Sequence, residues 1–139
     1  MSGFMIIRDI MSKNIKTVKP DDTVHAAVLK MNKFDIGSVI VISSGRPVGI
    51  ITETNIMRRI VGPRMDPDTV WVKDIMSSPL TTIDENAAVE EAAKMMVEKK
   101  INRIPVMNGE KLVGLISSTD IVKASPTQLG ILDELLRLS

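Results

Sequence analysis

Two short segments hold the residues best suited to chemistry. Ser117, Thr119 and Asp120 stand in Gly114-Leu115-Ile116-Ser117-Ser118-Thr119-Asp120, and Thr52, Thr54 and Asn55 stand in Gly49-Ile50-Ile51-Thr52-Glu53-Thr54-Asn55. Each runs from a hydrophobic strand end, through a hydroxyl, into a helix start. Free N–H groups and partial positive charge at such a point favour an anion such as phosphate. Ser117 and Thr119 add hydroxyl donors, and the Asp120 carboxylate is an acceptor for sugar hydroxyls. The same residues, as Ser117-x-x-Asp120 and Thr52-x-x-Asn55, also fit N-capping boxes in which the side chains serve only the backbone. The pattern by itself leaves both roles open. Arg103, in Asn102-Arg103-Ile104-Pro105-Val106, precedes a hydrophobic strand. Its planar fork of donors suits a phosphate, and an ordinary surface arginine is the alternative. Pro105 withholds one ladder donor, which points to a sheet edge or a cleft.

Other chemistries lack their residues. The 139 residues include no cysteine and one histidine, His25, which removes thiolate nucleophiles, disulfides and multi-histidine metal sites. His25 sits beside Val24 on a helix and reads as solvent-facing. Asp9 and Asp74 recur near strand starts without a convergent second group, so an enzyme is not expected. Eighteen basic against seventeen acidic residues give a net charge of +1, with Phe4, Phe34 and Trp71 as the whole aromatic set. Neither a broad basic surface nor stacking platforms for nucleic acid follow from that. No apolar run approaches the roughly 20 residues of a membrane span. Met1 to Met11 carries Arg8 and Asp9 and no small-residue cleavage site, so a cytoplasmic protein is expected.

The elements that must position these residues come in duplicate. Shifted by the numbering difference between Arg8 and Lys73, the sequence matches itself without a gap. Arg8-Asp9-Ile10-Met11-Ser12 falls on Lys73-Asp74-Ile75-Met76-Ser77, and Val48-Gly49-Ile50-Ile51-Thr52 falls on Val113-Gly114-Leu115-Ile116-Ser117. Each copy begins with an extended segment (15–18 and 80–83). A helix follows, with Val24, Ala27, Val28 and Met31, or Val89, Ala92, Ala93 and Met96, on one face. Asp21 and Asn86 are the expected N-caps. A hairpin comes next, turning at Ser43-Ser44-Gly45 in copy one and at Asn108-Gly109 in copy two. A second helix starts after Thr52 and after Ser117. The order β-α-β-β-α, twice, predicts an α/β (α+β) fold in which two copies pack about a pseudo-two-fold axis, since one copy of about 55 residues buries too little surface alone. Residues 61–68 read as a turn-rich connector and 69–72 as a short lead-in strand. Residues 126–139 start at Ser125-Pro126 and carry an apolar stripe of Leu129, Leu132, Leu135 and Leu136, a C-terminal amphipathic helix too short to stand alone. Docking on a second copy is the favoured expectation for it.

The duplicated unit resembles the CBS domain, named after cystathionine β-synthase. The resemblance rests on Asp-Ile-Met-Ser before a Thr-containing strand, on the Ile104-Pro105-Val106 strand, and on the Gly-hydrophobic-hydrophobic-Ser/Thr-x-x-Asp ending, and it covers about residues 8 to 125. It implies a tandem pair, or Bateman module: repeat 1 over 1–62, linker and lead-in over 63–72, repeat 2 over 73–125 and the helix over 126–139. It implies regulatory binding of an adenine ligand (AMP, ADP, ATP or S-adenosylmethionine) in clefts between the copies, with no other cofactor required. By position Asp120 would hold ribose, and Ser117 and Thr119 would face phosphate with Asn102 and Arg103. Thr82, Ile83, Ile101, Ile104 and Pro105 would line the adenine. Copy one departs from the pattern, with Asn55 for the acid and Ile40 for the proline. Its site, built on Thr17, Val18, Gly37, Thr52, Thr54 and Asn55, is expected to be the weaker, because an amide lacks the charge-assisted strength of a carboxylate. The resemblance also implies a homodimer acting on a separate regulated protein. A ligand-free interaction scaffold is the alternative.

Overall fold

The computed structural model describes residues 5–124, so the expected amphipathic helix over 126–139 lies outside the described residues. The chain divides into two compact units, Ile15–Thr81 and Met1–Asn14 with Thr82–Ser139. In the Ile15–Thr81 unit, strand β1 (Thr17–Val18) precedes helix α2 (Val24–Phe34), strands β2 (Ser38–Ser43) and β3 (Arg46–Thr52), and a short helix α3 (Glu53–Ile56). That helix runs into a π-helical turn, Met57–Val61, and the unit closes with helix α4 (Val72–Ile75). The other unit holds helix α1 (Ile7–Ile10), strand β4 (Ile83–Asp84), helix α5 (Val89–Lys99), strands β5 (Arg103–Asn108) and β6 (Lys111–Ser117), and helix α6 (Ser118–Ala124).

Each unit carries one three-stranded sheet, ordered β1-β2-β3 or β4-β5-β6. The outer short strand is parallel to the middle one, with Val18 beside Val41 and Ile83 beside Val106; the hairpin is antiparallel. Strand alternation turns Val39, Val41 and Ile51 toward one core, and Ile104, Val106 and Ile116 toward the other. The expected helix faces dock there: Val24, Ala27 and Met31 of α2, and Val89, Ala92 and Met96 of α5, are buried. Both hairpins contain a register shift, at Val41/Ile42 and at Val106/Met107. In the second hairpin Asn108 pairs with Lys111, so the two turn residues are Gly109 and Glu110 rather than Asn108-Gly109. Gly109 takes the left-handed conformation that glycine tolerates without strain, φ +61.

Three local expectations are corrected. Thr23, not Asp21, caps α2, accepting the Ala26 N–H at 3.1 Å. Asp21 instead pairs with Lys73 at 3.1 Å. The N-cap position of α5 is Ala88, which has no capping side chain, and Asn86 Oδ1 accepts from Arg8 Nη1 at 3.0 Å. The first free N–H of each helix goes to a backbone carbonyl far away in sequence: Val24 to Val70 at 2.9 Å and Val89 to Met5 at 3.0 Å. Third, Trp71 forms only a single bridge, to Thr23, before the chain turns into α4. Its β-branched neighbours Val70 and Val72 and its own ring suit a strand, but among the described residues no second strand lies alongside to extend it.

The two units mirror one another through an exchange of leading segments. The helix that opens repeat 1 docks on the body of repeat 2: Ile7 N–H donates to Ala87 O and Arg8 N–H to Glu85 O, both at 2.9 Å. The helix that opens repeat 2 docks on the body of repeat 1, with Val72 N–H on Asp22 O at 2.8 Å and Lys73 N–H on Pro20 O at 3.1 Å. Next along each segment a serine bridges the outer edge of the hairpin, Ser12 with Leu115 and Ser77 with Ile50. This covers a strand edge that would otherwise expose unpaired backbone groups. Close approach at these edges requires glycine. A Cβ on Gly49 would meet the Met76 side chain at 2.5 Å and the Ser77 carbonyl at 3.0 Å, and a Cβ on Gly114 would meet Met11 and, at 3.0 Å, the Ser12 carbonyl. Gly114→Ala is therefore expected to destabilise by about 1–3 kcal/mol, because a backbone carbonyl cannot yield as a side chain does. Urea unfolding followed by circular dichroism checks it; an unchanged midpoint would show that the edge segment shifts freely.

Candidate functional site

Repeat 1 builds its strand-to-helix corner as a closed hydrogen-bonded knot. Thr52 Oγ1 accepts the Asn55 N–H at 3.2 Å, and Asn55 Oδ1 accepts the Thr52 N–H at 2.8 Å, a complete capping box. Asn55 Oδ1 also accepts from the Thr52 hydroxyl at 2.8 Å, and Asn55 Nδ2 donates to Ser77 Oγ at 3.0 Å. Asn55 is only 6% exposed. The amide that sequence alone offered as a ligand contact is thus a buried link among β3, α3 and the segment after α4.

Repeat 2 repeats half of that arrangement. Asp120 N–H donates to Ser117 Oγ at 3.1 Å, and Asp120 Oδ2 accepts the Ser117 N–H at 2.8 Å. Oδ2 therefore stands for Asn55 Oδ1, and Oδ1 stands where the Asn55 amide nitrogen is. Oδ1 has no hydrogen-bond partner among the described residues, and Asp120 is only half-buried. The capping role and an acceptor free for a ligand thus coexist on one carboxylate. The capping bond alone would hold the free oxygen in a fixed direction.

The other singled-out residues fall into three groups. Arg103 lies across the ladder from Ser117, and both are half-buried. Thr119, Asn102 and Thr82 are exposed on the same unit. The Asn102 carbonyl accepts the Ser118 N–H at 3.0 Å, as the Gly37 carbonyl accepts the Glu53 N–H at 3.2 Å in the other unit. Ile83 and Ile104 are core residues with Ile101 packed against them, so Ile83 and Ile104 can offer a ligand only backbone. Pro105 lies on β5, the central strand, which corrects the expectation of an edge. Its counterpart Ile40 donates its N–H to Lys16 O at 3.0 Å, a bond proline cannot make. In repeat 1, Thr17 and Thr54 are exposed and Val18 belongs to the core. The edge carbonyl of Thr17 is taken by Lys30 Nζ at 2.6 Å.

Sequence reasoning missed Ser77, which accepts from Asn55, and with it Ser12, its equivalent in the duplication. Their signal lies in the duplicated Asp-Ile-Met-Ser, whose serine recurs at the same place in both repeats. His25 is exposed on α2, with Nδ1 3.8 Å from Asp68. Among the described residues no group of three His, Cys, Asp or Glu side chains is placed to hold a metal ion, and no helix is long and apolar enough to cross a membrane.

Comparison with known proteins agrees with the duplication. The family model of the CBS domain matches twice, over residues 7–62 and 72–127. An uncharacterised protein of Methanopyrus kandleri is 33% identical over 130 residues, which is 92% of this chain and 66% of that protein. A solved structure of an uncharacterised conserved protein from Pyrococcus horikoshii is 33% identical with a TM-score of 0.82, over 90% of this chain and 95% of that one. The hexameric CBS-CP12 protein from bloom-forming cyanobacteria is 31% identical with a TM-score of 0.83, over 90% of this chain and 74% of that one. The chain spans 66% and 31% of the first two curated relatives it matches. Tandem CBS domains are regulatory modules that commonly bind nucleotides. With both copies matched and the fold shared, this chain belongs to the CBS-domain family and carries two CBS domains in tandem.

Proposed function

We propose that this chain is a non-enzymatic regulatory module that binds an adenine nucleotide, one of AMP, ADP, ATP or S-adenosylmethionine, chiefly through repeat 2, and signals its presence to a separate partner protein. The observation that carries this reading is the contrast between Asp120 and Asn55. Asp120 presents a carboxylate oxygen with no hydrogen-bond partner among the described residues, directed by the capping bond of its other oxygen, and a vicinal diol such as ribose is a natural donor to it. Asn55 is buried and bonded to Thr52 and Ser77. Arg103, opposite Ser117 on the ladder, supplies a cation for the phosphate side. Pro105 supports the same assignment, because it removes a ladder donor that repeat 1 retains at Ile40.

Thermal unfolding with each of the four ligands tests it. A ligand at about 100 times its dissociation constant adds about 2.7 kcal/mol of stability. One ligand is expected to raise the Tm of the wild type clearly, and the rise is expected to shrink in Asp120→Ala. No shift with any of the four would remove the nucleotide reading.

The other reading, an assembly module, has its own support. Met57, Val61, Met65 and Trp71 are between 46% and 66% exposed and all belong to the Ile15–Thr81 unit. Large apolar side chains left open in this way mark association surfaces. Self-association through this unit is compatible with nucleotide binding. Light scattering on Met57→Glu/Val61→Glu is expected to show a smaller species than the wild type; an equal mass for the two would exclude association through Met57 and Val61.

A further inference from the structure

We propose that Ser12 is a further ligand-binding residue: one hydroxyl of the nucleotide's sugar donates to Asp120 Oδ1 and accepts from Ser12 Oγ–H, so that the ligand fastens the leading segment of repeat 1 to strand β6. The proposal rests on the nucleotide reading above and adds a residue and a consequence to it.

The two units differ at matching positions. In both, a serine on the exchanged leading segment bridges the outer strand of the hairpin: Ser12 N–H donates to Leu115 O and Leu115 N–H to Ser12 O, both at 2.9 Å, and Ser77 does the same with Ile50 at 2.9 and 3.2 Å. In the Ile15–Thr81 unit a side-chain bond adds to this bridge, Asn55 Nδ2 to Ser77 Oγ at 3.0 Å. In the other unit that bond cannot exist in the same form, because the corresponding atom, Asp120 Oδ1, has no hydrogen to give. No hydrogen bond joins Asp120 to Ser12 among the described residues.

A second exchange accompanies the first. The residue two places after Ser77 is Pro79, which has no N–H, so the Ser77 hydroxyl oxygen is left to accept from Asn55. The residue two places after Ser12 is Asn14, whose N–H donates to Ser12 Oγ at 3.2 Å. That bond uses a lone pair of the Ser12 oxygen and leaves its hydrogen to donate. Repeat 2 therefore presents an acceptor, Asp120 Oδ1, and a donor, Ser12 Oγ–H, where repeat 1 has a completed amide-to-hydroxyl bond. An uncharged group that both donates and accepts completes the gap, and a sugar hydroxyl is such a group, whereas a phosphate oxygen only accepts.

The consequence is mechanical. The Ser12–Leu115 bridge holds the segment carrying α1, whose Ile7 lies in the core of the Asp120 unit. A ligand hydroxyl held by both groups adds one link between that segment and the end of β6, as Asn55 does permanently for the segment after α4. Occupancy of the site is thereby converted into a tighter leading segment, a change a partner protein can read.

Amide hydrogen exchange on the full chain, with and without the stabilising nucleotide, reads this directly. Nucleotide is expected to slow exchange at Ser12 and Leu115 by about tenfold, the equivalent of one added hydrogen bond, and to leave Ser77 and Ile50 unchanged. Ser12→Ala, which keeps the backbone bridge, is expected to weaken nucleotide binding about five- to tenfold. Asp120→Asn restores the amide of repeat 1 and is expected to slow exchange at Ser12 and Leu115 with no nucleotide present. Nucleotide binding that is equally tight in Ser12→Ala, with Ser12 and Leu115 amides unmoved, overturns the role of Ser12 and leaves the nucleotide reading standing. Unchanged exchange in nucleotide-free Asp120→Asn overturns it independently. Failure of every nucleotide to bind the wild type overturns both readings together.

Discussion

Ile7→Ala is expected to lower the stability of the protein by about 2–5 kcal/mol, the range for truncating a fully buried isoleucine whose site cannot collapse. Ile7 is 0% exposed, and it packs with Ile83, Val89, Ile104 and Ile116 although it precedes the nearest of them in sequence by more than a repeat. Its neighbours Met5 and Arg8 are tied to the same body, through Val89 N–H to Met5 O and Arg8 N–H to Glu85 O. The location of the loss discriminates better than its size. If α1 completes the core of repeat 2, protection against hydrogen exchange falls first in β4, β5 and β6. A loss confined to β1, β2 and β3 would mean that α1 serves its own repeat and that the exchange of segments is wrong. Urea unfolding gives the magnitude, and exchange resolved by residue gives the place.

Asn55→Ala is expected to cost about 2–4 kcal/mol without any ligand, because several losses coincide. The capping bond to the Thr52 N–H disappears, with a cost of about 0.5–2 kcal/mol for such a cap. The bond to Ser77 Oγ disappears too, and the Thr52 N–H is left part-buried without its acceptor, a further penalty of about 1–3 kcal/mol when such a group cannot reach water. Asp120→Ala at the matching position removes only the capping bond from the Ser117 N–H, at a half-buried site, and is expected to cost about 0.5–2 kcal/mol. The order of the two losses is the informative result. Equal losses from chemical denaturation, or a larger loss at Asp120, would show that the carboxylate has the same structural duty as the amide. The reserve of Asp120 for a ligand would then lose its basis. The exposed pair Lys73–Asp21, by contrast, is expected to contribute no more than about 1 kcal/mol, since both side chains are at least half exposed.

The sequence by itself determined the duplication, the β-α-β-β-α order, the helix faces and the hairpins. Each of these is written in local spacing: a 3.6-residue period in Val24, Ala27 and Met31, alternation through Val39 and Val41, a glycine at each turn. It also located both strand-to-helix corners and the difference between Asn55 and Asp120. It did not determine which leading segment serves which repeat. Arg8 and Lys73 are equivalent in the duplication, as are Asp21 and Asn86, so either pairing satisfies the same pattern. Only packing, which brings Arg8 to Asn86 across 78 positions of chain, decides it. The caps at Asp21 and Asn86 failed for the same reason: both side chains are drawn to the exchanged segments, and backbone carbonyls at Val70 and Met5 take the helix donors. Asn55 was legible as a weaker version of an acid but not as a buried link, because its partner Ser77 arrives from 22 residues away. Spacing reports what a residue can do within one turn or one strand. Whether its remaining polar atoms are already bonded, or left for a ligand, is fixed by groups that only the folded chain brings beside it.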